Sequence, residues 1–557
     1  MNDLNKDLSK KLLNYLEKKQ FERLQFDVEM LGNIDDQHPL IIFYYASSIY
    51  FKETSTQKDL LRSSALFEKV YLLNKKNLQA LYNMIAVSFK TKVFKDVLNL
   101  TLEAFEENNN DNKLLEGLAR INFYLGNKRK CIELFRKLYK NLPDKMEGRL
   151  PFISSINYTS GISQEEYLQE CLNYASLIEK NLDIENDSYK FDNYKNDKIK
   201  VAFLSADFKT HPVSQFIKDL LIKMSKNSFD VHLISNLRPE DYDQMSYEFK
   251  KIANKWHDIQ KYSDTKAVEY LRSLKIDVLI DLSGFTQGNR LELIAKRCAR
   301  IQIEWLGYNN SLGLKNLDYL ISDRNLIKNN ELNLYSEKIL FMPKIWNALT
   351  PPNHLPEIDS SLKNKGSTFS FCSFNNFQKL SDSTINVWSK ILNQTNSQIY
   401  LKNSLYGGED LKENVMKKFY DNGVKKNQLI FLDKEKKSED HLKLYNKADL
   451  ALDTFPYPGV TTTYEALLMG LPVLTMKGFN FNSRCGESIM KNMNMQEMIA
   501  NDEIDYFNKA ISIVNDKNSM KKNLINLRER TLSSPLFDTD TFANDFCNLI
   551  KHVHDNA

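Results

Sequence analysis

From its start to about residue 145 the chain returns apolar positions at helical spacing, and no convincing strand is present. Near residue 200 the grammar changes. Short apolar runs start at Lys200, Phe229, Lys275, Arg300, Leu317 and Lys338, mostly separated by polar segments long enough for a helix. A second series starts at Phe369, Ser397, Gln428, Ala448 and Leu471. Continuous apolar strands alternating with helices predict parallel sheets covered on both faces, an α/β fold of two doubly wound lobes. Between the two series, Pro351, Pro352 and Pro356 mark a connector from Pro343 to about Gly366. Two such lobes in tandem direct their strand ends, and hence their ligand sites, at a shared cleft.

The helical region divides into similar units. Segments beginning at Ala80 and Lys113 align at an offset of about 35 residues, with Phe89 on Tyr124 and Val97 on Ile132. An earlier unit, from Ile41, carries an insertion. Period and helix-turn-helix shape resemble tetratricopeptide repeats with degenerate motifs. Each unit buries its apolar face only by stacking on its neighbours, and a stack presents a groove suited to peptides. A purely supporting role for so short an array is weighed equally. After the repeats come a loop with Asn157, Gly161 and Ser163, one helix to Asn181, and a polar stretch from Asp183 to Lys198. The expected organisation is therefore helical repeats over 1–145, a helical linker over 146–195, a first doubly wound lobe over 196–365 and a second over 366–557.

Composition changes this picture little. At 557 residues the chain needs about three domains. An apolar content of 42% and a charged content of 27% describe an ordinary soluble protein. No run of about 18 apolar residues occurs, which argues against a membrane span, and MNDLNKDLSKKLL lacks an apolar signal core, so a cytoplasmic location is expected. A net charge of +4 with lysines scattered among acidic residues does not favour nucleic acid. Cys131, Cys171, Cys298, Cys372, Cys485 and Cys547 are isolated, which fits buried thiols better than a zinc site or disulfides. His552 and His554 fit a frayed tail.

The chemistry concentrates between Ala448 and Gly478. A buried strand is followed by a turn (Pro456, Pro458, Gly459), a hydroxyl run (Thr461, Thr462, Thr463), an amphipathic helix and a second strand. A strand feeding a turn and then a helix leaves several N–H groups unpaired at the end of a sheet, which suits an anion. Such a hydroxyl run is on its own more often an ordinary helix cap. Glu465, one turn into the helix, can complete a capping box or accept hydrogen bonds from a ligand's hydroxyls.

Several stretches are similar to the O-GlcNAc transferase family, glycosyltransferase family 41: Ser205–Phe216, Ile276–Tyr308, Phe371–Leu380, Ala448–Gly478 and Ser533–Asp538, in family order and preceded by helical repeats. Details such as LDTFPYPGVTTTYEALLMGLP resemble the SPINDLY-like branch, known for protein O-fucosylation, and bacterial relatives. The resemblance implies a GT-B fold, with the acceptor on the first lobe and the nucleotide sugar on the second. It implies inverting, metal-independent transfer to Ser or Thr of a protein, with no cofactor beyond the donor. Lys379 falls on the family's leaving-group lysine, and a cation is what a departing diphosphate requires; Asn375 and Asn376 flank it. Thr461 and Thr462 fall on the paired threonines that hold the phosphates. Val460 replaces a common histidine, Glu465 takes the place of a ribose-binding aspartate, and His441 matches a histidine packed near the base. His211 aligns with a histidine near the reaction centre, suited to accept the acceptor's proton or orient the sugar. Asp277 takes the place of another histidine, and the identity of the general base stays open between it and His211. Asp538-Thr539-Asp540 is read as the cap of the final helix rather than a metal motif.

The leading expectation is thus a protein O-glycosyltransferase that transfers GlcNAc from UDP-GlcNAc and takes acceptor proteins through the repeat groove, with neither nucleic acid nor membrane as partner. The nearest alternative is a protein O-fucosyltransferase that uses GDP-fucose with the same groups in the same roles. A catalytically lapsed adaptor is a third reading, and transfer to Asn a fourth.

Overall fold

All thirteen strands among the described residues pair in parallel, in two sheets. The computed structural model describes residues 6–187, 189–191, 196–226, 229–352, 354–359, 368–402, 408–517 and 526–556. The first sheet contains β1 (Ile199–Ser205), β2 (Phe229–Ser235), β3 (Lys255–Asp258), β4 (Val278–Asp281), β5 (Ile301–Glu304), β6 (Tyr319–Asp323) and β7 (Lys338–Met342), in the order β3-β2-β1-β4-β5-β6-β7. The second contains β8 (Ser370–Ser373), β9 (Gln398–Lys402), β10 (Leu429–Leu432), β11 (Leu450–Leu452), β12 (Val473–Met476) and β13 (Ile499–Ala500), in the order β10-β9-β8-β11-β12-β13. β4, β5 and β11 are buried at every position, as strands covered by helices on both faces must be. The doubly wound lobes read from the apolar runs are both present. Two strands carried no apolar signal: β3, in which only His257 is buried, and the two-residue β13.

The chain forms two compact units, Met1–Ser155 with Leu405–Lys417, and Ile156–Ser404 with Lys418–Ala557. In the first, helices Leu78–Thr91 and Lys95–Glu107 are followed by Asn112–Tyr124 and Lys128–Asn141, a period of about 34 residues. The aligned rings of Phe89 and Tyr124 lie 5.6 Å apart. Residues 408–417, from the segment between β9 and β10, are stitched into these helices. Asp410 accepts from the backbone N–H groups of Phe94 and Lys95 at the start of one helix, and Asn414 donates to the Leu125 carbonyl at the end of another at 2.6 Å. The expected 146–195 linker is divided between the units, since helix Gln164–Asn181 belongs to the second. There Gln164 donates to Asn310 at 2.7 Å, and Tyr167 and Tyr308 share a hydroxyl contact of 2.7 Å.

Within the second unit the two lobes are held together by buried polar contacts. Arg484, before helix Cys485–Asn492, forms a bidentate pair with Glu331 and donates to the Leu326 carbonyl at 3.0 Å. Ser488 donates to Asp323 at 2.7 Å. Helix Thr539–Asp555 is capped by Asp538, which accepts from Thr541 N–H, and returns to the first sheet, where Phe546 packs on Trp305 with centroids 4.7 Å apart. Sheet two and this helix thus share the expected 366–557 segment, but the helix covers sheet one.

Candidate functional site

In the second sheet the chain winds outward from β8 in one direction and from β11 in the other, so these adjacent strands bracket a crevice at their C-terminal ends. Residues 374–379 leave β8 there, and residues 453–460 leave β11. The two segments are tied by Asp453, which is 2% exposed. Its Oδ1 accepts from Gly459 N–H at 2.6 Å and from Asn375 Nδ2 at 3.2 Å, and its Oδ2 accepts from the Thr475 hydroxyl at 2.8 Å. Burial pushes this carboxyl up to about 6, against those donors and nearby Lys379. Asn375 Oδ1 in turn accepts from the Thr462 hydroxyl at 2.9 Å.

Helix Thr461–Leu468 opens on Val460, whose side chain supplies no cap. The N–H groups of Thr463 and Tyr464 bond back to the Val460 carbonyl, while those of Thr461 and Thr462 are first-turn donors with no partner inside the helix. An uncapped helix start carrying two half-buried hydroxyls is a ready anion site.

Lys379 ends the short 3-10 turn Phe377–Lys379 and is half-buried. Its Nζ donates to the Pro458 carbonyl at 2.9 Å and sits 4.5 Å from the Tyr457 ring, itself stacked on Tyr158 at 4.5 Å. Its direct contacts are therefore a carbonyl dipole and a π-face, with the Asp453 carboxylate as a nearby opposing charge. Burial lowers its pKa from 10.5 to about 8, with Asp453 and Cys485 opposing. The lysine and the threonine run meet on one loop. Asn376 is spent locally: its side chain accepts from Gln378 N–H at 3.0 Å and caps the 3-10 turn, while its neighbour Asn375 faces the crevice loop.

Glu465 does not cap its helix. Its Oε2 accepts from His441 Nε2 at 3.0 Å and from the Tyr445 hydroxyl at 3.0 Å, and His441 Nδ1 lies 2.7 Å from Lys402 Nζ at the end of β9. The Phe374 ring packs on Tyr445 at 4.6 Å and closes this corner.

In the first lobe His211 lies in the loop after β1, at the C-terminal edge of the sheet, with Nδ1 3.7 Å from Asp207. Burial lowers its pKa below 6.5, with Asp207 opposing, so the imidazole is neutral near pH 7. The helix that follows carries Phe216, which meets Tyr464 edge-on at 5.5 Å. The helix that follows His211 and the helix that opens on the threonines are thereby in contact. Asp277 does not join them. It precedes β4 at the opposite edge of the sheet, where it accepts from Lys200 N–H at 2.9 Å and Asn196 Nδ2 at 2.8 Å. These bonds order the strand entrances, and a place as reacting base does not fit that position.

The family profile described as glycosyl transferase family 41 matches residues 158–350 and 361–546. The chain belongs to glycosyltransferase family 41. Similar proteins within reach of family 41 include a tomato protein named probable UDP-N-acetylglucosamine–peptide N-acetylglucosaminyltransferase SPINDLY, 28% identical over 356 residues, 63% of this chain and 38% of that protein. An Arabidopsis thaliana protein with the same description, named SEC, is 28% identical over 353 residues, 61% of this chain and 36% of that protein. The matches thus span well under half the length of these relatives. Among solved structures, a mutant of the Thermobaculum terrenum O-GlcNAc transferase superposes with a TM-score of 0.78 at 21% identity, over 93% of this chain and 98% of that one, a likeness of fold.

In this family 41 chain, Asp453, Tyr457, Tyr158, Tyr445 and Lys402 join the site in addition to the residues that its motifs mark. Asp453 left a trace, a carboxylate directly after a buried strand and before a turn. Lys402 left none, because a lysine closing an apolar run reads as the solvated end of a strand. Among the described residues no cluster of three or more His, Cys, Asp or Glu side chains gathers as a metal site, and all six cysteines are buried free thiols. No helix among them is long and apolar enough to cross a membrane.

Proposed function

We propose that this chain is an inverting protein O-glycosyltransferase that transfers GlcNAc from UDP-GlcNAc to serine or threonine hydroxyls of acceptor proteins. The observation that carries the reading is Lys379, an ammonium held by the Pro458 carbonyl beside the uncapped helix start of Thr461 and Thr462. A nucleoside diphosphate placed on that helix start has its phosphates against the first-turn N–H groups and the Thr461 hydroxyl, with the ammonium facing the oxygen that will leave, while the Thr462 hydroxyl stays on Asn375. The acceptor oxygen then bonds to the anomeric carbon from the opposite side as the bond from that carbon to the phosphate oxygen breaks. The electron pair departs with the nucleoside diphosphate, where Lys379 offsets its charge. The acceptor's proton passes to a base, and neutral His211 is suited to take it. All of this chemistry is carried by side chains and amides of the two lobes, without a metal. The helical repeats would present the acceptor chain in their groove.

Thermal melting with UDP, UDP-GlcNAc, GDP and GDP-fucose tests the donor, since a saturating ligand raises the melting temperature according to its affinity. Stabilisation by UDP and not GDP is expected. The reverse result assigns a GDP-sugar, and fucose transfer, to the same groups. Mass spectrometry of glycopeptides from cells with and without the gene reads sugar and acceptor residue together. The absence of any gene-dependent glycopeptide overturns the transferase reading.

A further inference from the structure

Four side chains from three elements form one hydrogen-bonded chain beside the crevice: Lys402 from the end of β9, His441 and Tyr445 from the helical segment before β11, and Glu465 from the helix after it. With Lys402 charged, the donor and acceptor inventory allows one assignment of its protons. Burial lowers the pKa of Lys402, with Glu435 and Glu465 opposing, yet a lysine ammonium has three donors and no lone pair. His441 Nδ1, 2.7 Å away, must therefore be the unprotonated nitrogen. The imidazole proton then sits on Nε2, which donates to Glu465 Oε2 at 3.0 Å. The Tyr445 hydroxyl donates to the same oxygen. Both internal donors are spent on Oε2, and Glu465 Oε1 has no partner among the described residues.

We propose that Lys402 is a positioning residue for nucleotide binding: it holds His441 in the Nε2–H tautomer, which pins Glu465 by one oxygen and leaves the other to accept from the two ribose hydroxyls. Lys402 is 7% exposed, and its ammonium is occupied by the imidazole rather than by a ligand phosphate. It acts through His441 and Glu465. The proposal rests on the donor-site reading above and adds to it the group that orients the ribose contact.

The first test needs no variant. In 15N-histidine-labelled protein at pH 7.5, with His441 assigned by loss of its signal in His441→Gln, the ring nitrogens should report the neutral Nε2–H form. An Nδ1–H form or an imidazolium overturns the proposal. The second test is calorimetric titration of wild type, Lys402→Met and Lys402→Arg with UDP and with 2′,3′-dideoxy-UDP, and with the guanosine pair should UDP not bind. Loss of a hydrogen bond to a charged group predicts that Lys402→Met weakens the ribonucleotide about tenfold and the dideoxynucleotide hardly at all, with Lys402→Arg recovering part of the loss. Equal losses for both nucleotides overturn the proposal and leave the donor site standing. Binding of none of the four nucleotides by wild type overturns the donor-site reading itself, while the tautomer measurement still reports the arrangement of the chain.

Discussion

The Thr462 hydroxyl donates to Asn375 Oδ1 at 2.9 Å across the seam between β11 and β8. That single bond couples the helix start to the loop that carries Lys379. It exists only because Gly459 has no side chain: a Cβ there would fall 2.3 Å from Thr462 Oγ1 and 2.8 Å from Asn375 Oδ1. Gly459→Ala is expected to weaken nucleotide binding by about tenfold or more, because a methyl group at those distances must displace the Thr462 hydroxyl and the Asn375 amide from each other. Calorimetric titration with UDP, or with GDP should it be the ligand, checks this, and undiminished affinity would show that the seam does not shape the site.

Lys379 acts as a cation only while protonated. With its pKa lowered from 10.5 to about 8, kcat/KM should fall as the pH rises through about 8. Lys379→Arg keeps its charge through that range, so its residual activity, lower in magnitude, should show no alkaline limb there. On the acid side, burial lowers the pKa of His211 from its ordinary value, so the loss of activity through its protonation should be displaced to more acid pH than an ordinary histidine would give. A pH–rate profile of wild type and Lys379→Arg measures all three.

Asp277 should matter for stability and not for turnover. Asp277→Ala leaves the Lys200 N–H and the Asn196 amide without their acceptor, at about 1–3 kcal/mol for the unpaired backbone group. Urea unfolding should show that loss, while the rate per folded molecule stays within about twofold of wild type. A kcat collapse without destabilisation would return Asp277 to the chemistry.

At the edge of the first sheet, His257 Nε2 lies 3.1 Å from His232 Nδ1, Asp230 bonds the far side of His232, and Tyr270 bonds His257 Nδ1 at 2.6 Å. Burial, then His232 and Lys255, lower the pKa of His257 to about 4, with Asp230 opposing. The unfolded chain therefore binds this proton from about pH 6.5 downward while the folded protein does not. Stability should be complete above pH 6.5 and fall towards pH 4, by up to about 3 kcal/mol from this group. His257→Gln should flatten that slope in urea unfolding followed across pH.

The fold was legible where burial is two-sided. Val201, Phe203 and Leu279 belong to runs that no helix period explains, and parallel pairing followed from them. β3 was not legible, because an edge strand with one buried residue has no pattern to show. Asp277 just precedes a four-residue strand that Asp281 ends, and only the parallel register separates the entrance of the sheet from its chemically useful end. The threonine run and Lys379 were legible because helix starts and strand ends have local signatures. Lys402 and Asp453 were not singled out, since their roles depend on partners dozens of residues away. The placement of residues 408–417 among the helical repeats was equally hidden: an amphipathic helix advertises an apolar face but not what will cover it.

Trp305, wholly buried at the end of β5, is covered by Phe546 from a helix that follows both sheets in the chain. On the ribosome the first lobe therefore emerges with an indole uncovered, and it stays so until more than two hundred further residues have been made. The lobe that comes out early is finished late, by a helix made after everything else in the catalytic region.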